Sequence, residues 1–93
     1  MLSVEKRKLH IVRRGQTVKS IAEFYSVSEY LLAKENGLTK EPFEGQVLKI
    51  PSERGNAYFV RAGDNKALLC GSEERYFQKN GTDIFYIGMR VIL

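Results

Sequence analysis

Short apolar runs alternate with polar, glycine-bearing stretches along this 93-residue chain. Leu9–Val12 is an apolar run with β-branched residues and predicts a strand. Gly15 follows, where the chain must turn sharply. Thr17 is then a good N-cap. Val18, Ile21, Ala22 and Tyr25 recur at i, i+3, i+4 and i+7, which is one face of a helix. Ser28 is a second N-cap, with Glu29 favoured in the first turn. This second helix carries Leu31 and Leu32 inward and stops at Asn36–Gly37, a left-handed C-terminal signal. A loop with Pro42 and Gly45 leads to a closing strand at Val47–Ile50, ended by Pro51. Leu48 and Ile50 share one face of that strand, and Val47 and Lys49 the other.

The pattern then repeats. HIVRRGQTVKSIA (His10–Ala22) aligns without gaps on YFVRAGDNKALLC (Tyr58–Cys70), so that Val12 meets Val60, Arg13 meets Arg61, Gly15 meets Gly63 and Ile21 meets Leu69. Asn36–Gly37 matches Asn80–Gly81 after a deletion of four residues, and GQVLKI matches GMRVIL at the end. In the second copy Tyr58–Arg61 is the strand and Gly63 the turn. Asn65 caps a short helix through Cys70, stopped by Gly71. Ser72 caps the next helix, which runs through Tyr76 and Phe77 to Asn80–Gly81, and Arg90–Leu93 is the last strand. The expected fold class is α+β. It consists of tandem β-α-α-β units at 9–51 and 57–93, joined by a short polar linker at 52–56. In each, two helices would cover one face of a two-stranded antiparallel sheet, which is marginal without such packing.

Composition narrows the function. Hydrophobic residues make up 43% of the chain, enough for a core. The net charge of +4 is mild and mixed with acids, and the only basic clusters are Lys6–Arg7–Lys8 and Arg13–Arg14. They read first as a solvated basic end, and second as attraction to an anionic surface such as wall polymer, phospholipid or nucleic acid. No nucleic-acid partner is expected. The single cysteine, Cys70, excludes an internal disulfide and cannot build a zinc site by itself. It sits in an apolar run, far in sequence from His10, the only histidine. No metal or cofactor is expected. The charged N-terminus has no apolar stretch of signal-peptide length, and nothing approaches the ~18 apolar residues of a membrane span. The expected location is the cytoplasm, or mother cell and spore. It becomes the cell wall if the chain is a piece of a larger exported protein.

Residues 9–51, with HIVRRGQTVKSIAEFYSVSEYLLAKENGL and EGQVLKIP, resemble the LysM family. They depart from its pattern at Gln16, usually Asp, and at Val18, usually Leu. Residues 57–93 resemble a degenerate LysM unit, with Gly63–Asp64, Asn80–Gly81 and Gly88 kept. The resemblance implies binding of N-acetylglucosamine-containing polymers, peptidoglycan or chitin-type oligomers, in a groove between the turn after strand one and the loop after helix two. Carried over by position, the groove is Gly15, Gln16, Thr17 and Val18 facing Asn36, Gly37, Leu38 and Phe43. Its counterpart in the second copy is Gly63, Asp64, Asn65, Asn80 and Ile84, where Lys66 would spoil an apolar floor. Thr17, Asn36 and the glycines also have purely structural readings as caps, stops and turns. Leu38 and Phe43 could equally be core.

Two non-catalytic functions compete. One is a glycan-binding module. The other is an intracellular adaptor, such as a spore-envelope assembly protein, that docks an envelope or spore-coat protein through Tyr58, Tyr76, Phe77, Phe85 and Tyr86. An enzyme is not expected: Glu29, Glu35, Glu41 and Glu44 fall on exposed helix or loop positions, with no pocket to shift a carboxyl.

Overall fold

The computed structural model describes residues 8–93. The basic residues Lys6 and Arg7 lie outside that range. The chain forms β1 (Lys8–Ile11), α1 (Val18–Tyr25), α2 (Glu29–Glu35), β2 (Val47–Ile50), β3 (Ala57–Phe59), α3 (Lys66–Cys70), α4 (Glu73–Asn80) and β4 (Arg90–Ile92). β1 pairs antiparallel with β2, and β3 with β4, so each half is a β-α-α-β unit around its own two-stranded sheet.

The caps explain why the helices start where they do. The Thr17 hydroxyl accepts from the Ser20 amide while Ser20 Oγ accepts from the Thr17 amide, a reciprocal capping box. Ser28, Asn65 and Ser72 each accept from the amide three residues on. α1 ends differently from its counterpart. Ser26 takes a left-handed conformation (φ 59°), the only non-glycine among the described residues to do so. In α3 that place belongs to Gly71 (φ 94°).

In the first unit, Ile21 and Ala22 of α1, Leu32 of α2, and Leu48 and Ile50 of β2 form the core with Val12 and Val27. β1 contributes less than its composition suggests. Its register sets His10 opposite Leu48 on the core side, so Leu9 and Ile11 point to solvent beside Val47. Leu31 is buried outside this core. It lies at the junction of the units, beneath Gly81.

The second core is smaller: Val60, Tyr76, Met89 and Val91, with Tyr58, Cys70, Phe85 and Leu93 packed against it. Tyr76 stands where the first unit has Leu32. Burial pushes its hydroxyl up to about 12, and that hydroxyl donates to the Ile84 carbonyl at 2.6 Å. Cys70 is half-buried, and desolvation raises its thiol above the ordinary range, as befits a packing residue.

The two units are stitched together. Ser28 Oγ donates to the Asn80 carbonyl at 2.7 Å, Arg90 Nη1 to the Val27 carbonyl at 2.9 Å, and the Gly55 amide to the Ser26 carbonyl at 3.1 Å. α2 packs on α4, and Lys34 Nζ lies 4.4 Å from the centre of the Phe77 ring. Gly55 belongs to the linker. A side chain there would collide with the Leu93 carbonyl, so the linker runs flush against β4 and helps to bury Ile92.

Candidate binding groove

Asn36 shows how the second wall of the first groove is built. Its Nδ2 donates to the Leu32 and Lys49 carbonyls, and its Oδ1 accepts from the Lys49 amide at 2.8 Å. The side chain therefore clasps β2 to the end of α2. Gly37 (φ 62°) turns the chain away, and Leu38 packs on the core. Phe43 stands out at 68% exposure on a turn that Gln46 closes, its side chain accepting from the Phe43 amide and its amide donating to the Phe43 carbonyl.

The facing wall is the turn after β1. Gly15 (φ 84°) is exposed. Gln16 Oε1 accepts from the Arg13 amide at 2.8 Å and meets His10 Nε2 at 2.8 Å. An amide oxygen can only accept, so the His10 Nε2–H donates to it, and His10 Nδ1 meets the Tyr25 hydroxyl at 2.8 Å. Val18 is half-buried at the groove. Its amide donates to Glu41 Oε1 at 2.7 Å, and this contact brings the two walls together.

The eight positions thus divide. Gln16, Thr17 and Asn36 spend their side chains on the fold. Gly15 and Gly37 offer exposed backbone, and Val18, Leu38 and Phe43 offer apolar surface. Sequence reasoning missed Glu41 as part of this site. The signal for it was an acid on the short loop that must return past the N-terminus of α1, where a carboxylate is favoured.

The second unit repeats the turn with changed chemistry. Gly63 (φ 91°) is exposed, and Asn65 Oδ1 is engaged with the Leu68 amide. Asn80 clasps Ile92 as Asn36 clasps Lys49. Ile84 is exposed, and the Lys66 ammonium lies 5.5 Å from the Tyr76 ring centre, putting charge where Val18 supplies apolar surface. Asp64 Oδ2 accepts from the Tyr58 hydroxyl and the Arg61 amide, both at 2.7 Å. Led by the Tyr58 bond, these donors hold the Asp64 carboxyl below its usual range. The stability they lend is present above the ordinary carboxylate range and lost as pH falls through the depressed value. Gln16 cannot titrate. Acidification should therefore move the Arg61 amide resonance with the Asp64 titration and leave that of Arg13 without the step; a common step in both would contradict this.

Residues 10–51 match the LysM domain family model. That segment is a LysM domain. The matched span begins within β1 and ends just after β2, so the LysM domain is the first β-α-α-β unit. Curated relatives lie in two strains of Staphylococcus epidermidis: the N-acetylmuramoyl-L-alanine amidase sle1 is 33% identical over 79 residues, covering 75% of this chain. The chain spans 24% of that relative's length. Among solved structures, the spore cortex-lytic enzymes SleL of Bacillus cereus and Bacillus megaterium align over 95% and 91% of this chain and 23% and 22% of theirs. Both are at 24% identity, with TM-scores of 0.47 and 0.45.

Of the five aromatic residues considered as docking anchors, Tyr76 is fully buried and Tyr58 and Phe85 belong to the second core. α3 contributes no fully buried residue, and these rings supply much of the second core. Only Phe77 and Tyr86 are exposed, and Phe77 lies against Lys34.

Proposed function

We propose that this chain is a non-catalytic module that binds N-acetylglucosamine-containing glycan of the peptidoglycan type. The LysM domain would carry the sugar, and the second unit would be a degenerate LysM copy. The carrying observation is the LysM domain whose two groove walls meet at the Val18–Glu41 contact. Its curated relative acts, by name, on an N-acetylmuramoyl-L-alanine bond. The ligand is what this chain shares in the proposal, not the reaction. Among the described residues no helix is long and apolar enough to cross a membrane.

Titration with N-acetylglucosamine oligomers tests the reading. Amide shifts should move at residues 15–18 and 36–43, with the Gly63–Asn65 turn unmoved. Phe43→Ala should weaken binding about five-fold, the scale of one exposed aromatic contact. No perturbation by millimolar long oligomers would sink the proposal.

An adaptor role has one observation in its favour. Leu68, Ile84 and Ile87 are exposed apolar residues of the second unit, and Leu68 stands where the first has Ser20. Retention of an envelope or spore-coat protein, with no glycan retained, would favour it.

A further inference from the structure

Beside the groove, on the far side of Gln16, the surface changes character. Two clefts of about 390 and 490 Å³ flank the ring pair Phe24–Tyr25, which lines both. Around that pair stand Lys8, His10, Arg13 and Arg54, and no carboxylate lines either cleft among the described residues. Two cations elsewhere form side-chain ion pairs: Arg14 lies 3.9 Å from Glu44, and Lys79 3.9 Å from Glu53. Lys8 rests over the Tyr25 ring at 5.4 Å, and neither Arg13 nor Arg54 forms a side-chain ion pair among the described residues. Phe24 is 78% exposed, an apolar ring in the middle of a basic field.

We infer that these two clefts, joined at Phe24 and Tyr25 and hereafter taken as one cleft, receive the carboxylate-bearing peptide stem of a peptidoglycan strand whose N-acetylglucosamine residue occupies the neighbouring groove. The inference rests on the glycan-binding reading and deepens it, because it separates a stem-bearing polymer from neutral chitin-type chains. Gln16 supplies the continuity. Its backbone belongs to the groove wall between Gly15 and Thr17, while its side chain reaches back to His10 inside the cleft. A strand leaving the groove past Gln16 brings the substituent of the next sugar over Phe24. Lactyl and alanyl methyl groups suit that ring. Free stem carboxylates suit guanidinium groups, which bind them through paired N–H donors. The attraction is that of exposed charges and is screened by salt.

The test uses the full chain and three probes of equal sugar length: an N-acetylglucosamine tetramer, a stem-bearing peptidoglycan tetrasaccharide with free carboxylates, and the same fragment amidated. The wild-type chain should bind the free-carboxylate fragment about five-fold more tightly than the amidated one at physiological salt, the preference vanishing near 1 M. Arg13→Gln combined with Arg54→Gln should erase the preference and leave tetramer affinity unchanged. Equal affinity of the wild-type chain for the two fragments overturns the inference, as does a preference that survives the double substitution. Equally good displacement by a short oligonucleotide also overturns it, since the cleft would then answer any polyanion. If the wild-type chain binds none of the three, the groove reading itself fails. If it binds the tetramer without a carboxylate preference, only the cleft assignment fails.

Discussion

Asn80→Ala is expected to destabilise the protein by about 3 kcal/mol, a large share of what a chain of this size possesses. The side chain is 1% exposed. Its Nδ2 donates to the Tyr76 and Ile92 carbonyls, and its Oδ1 accepts from the Ile92 amide at 2.8 Å. Truncation leaves both polar groups of Ile92 without that partner in a place water does not reach, and each such orphan costs about 1–3 kcal/mol. Asn36 makes the matching bonds to Leu32 and Lys49, but it is only half-buried. Water can replace its amide, so Asn36→Ala should cost about 1 kcal/mol. Urea denaturation of the two variants decides the matter. Equal losses would mean that burial does not set the value of the clasp.

Gly81→Ala should be comparably damaging for another reason. Gly81 ends α4 in the left-handed region (φ 68°), and a Cβ there would sit 2.8 Å from the Leu31 Cα, on backbone of the other unit. The left-handed conformation alone costs an alanine about 1 kcal/mol. Backbone cannot swing aside as a side chain can, so α2 and α4 must part, and the total should reach about 3 kcal/mol. Gly37 holds the same place after α2 (φ 62°), and a Cβ there meets nothing. Gly37→Ala should show the conformational cost alone, about 1 kcal/mol. Resonances of Ser28 and Leu31 should shift in the Gly81 variant and stay put in the Gly37 variant. Matching stabilities and unmoved Ser28 would refute the account of the junction.

The helices were legible because their signals are local. Thr17, Ser28, Asn65 and Ser72 announce their own N-caps, and the recurrence of Val18, Ile21 and Ala22 shows a face. The facing of β1 was not legible. Leu9–Val12 reads only as an apolar run; pairing with β2 sets His10 opposite the buried Leu48 and leaves Leu9 and Ile11 exposed, and register is not written in one strand. The junction was also hidden. Leu31 and Leu32 look alike in sequence, yet Leu32 fills the first core while Leu31 is covered by the second unit. In the groove, sequence named the loops and missed the Glu41 carboxylate that spans them, because a contact across 23 residues leaves no periodic trace. The structural readings of Thr17 as a cap and Asn36 as a helix stop were legible beside the groove reading, whereas the bond from the Arg13 amide to the Gln16 side chain was not.

The bonds from Ser28, Val27 and Ser26 to the second unit give that unit an occupation independent of any ligand. Where small units stack, the shared interface contributes to the stability of both, and one unit can seal the other. Here the seal is specific: Arg90 satisfies a carbonyl of the first unit, and Gly81 covers Leu31. Such a seal constrains shape and hydrogen bonding at the shared face and places no demand on the opposite one. Lys66 and Ile84 lie outside the demands that hold Asn80, Gly81 and Arg90 in place against the first unit.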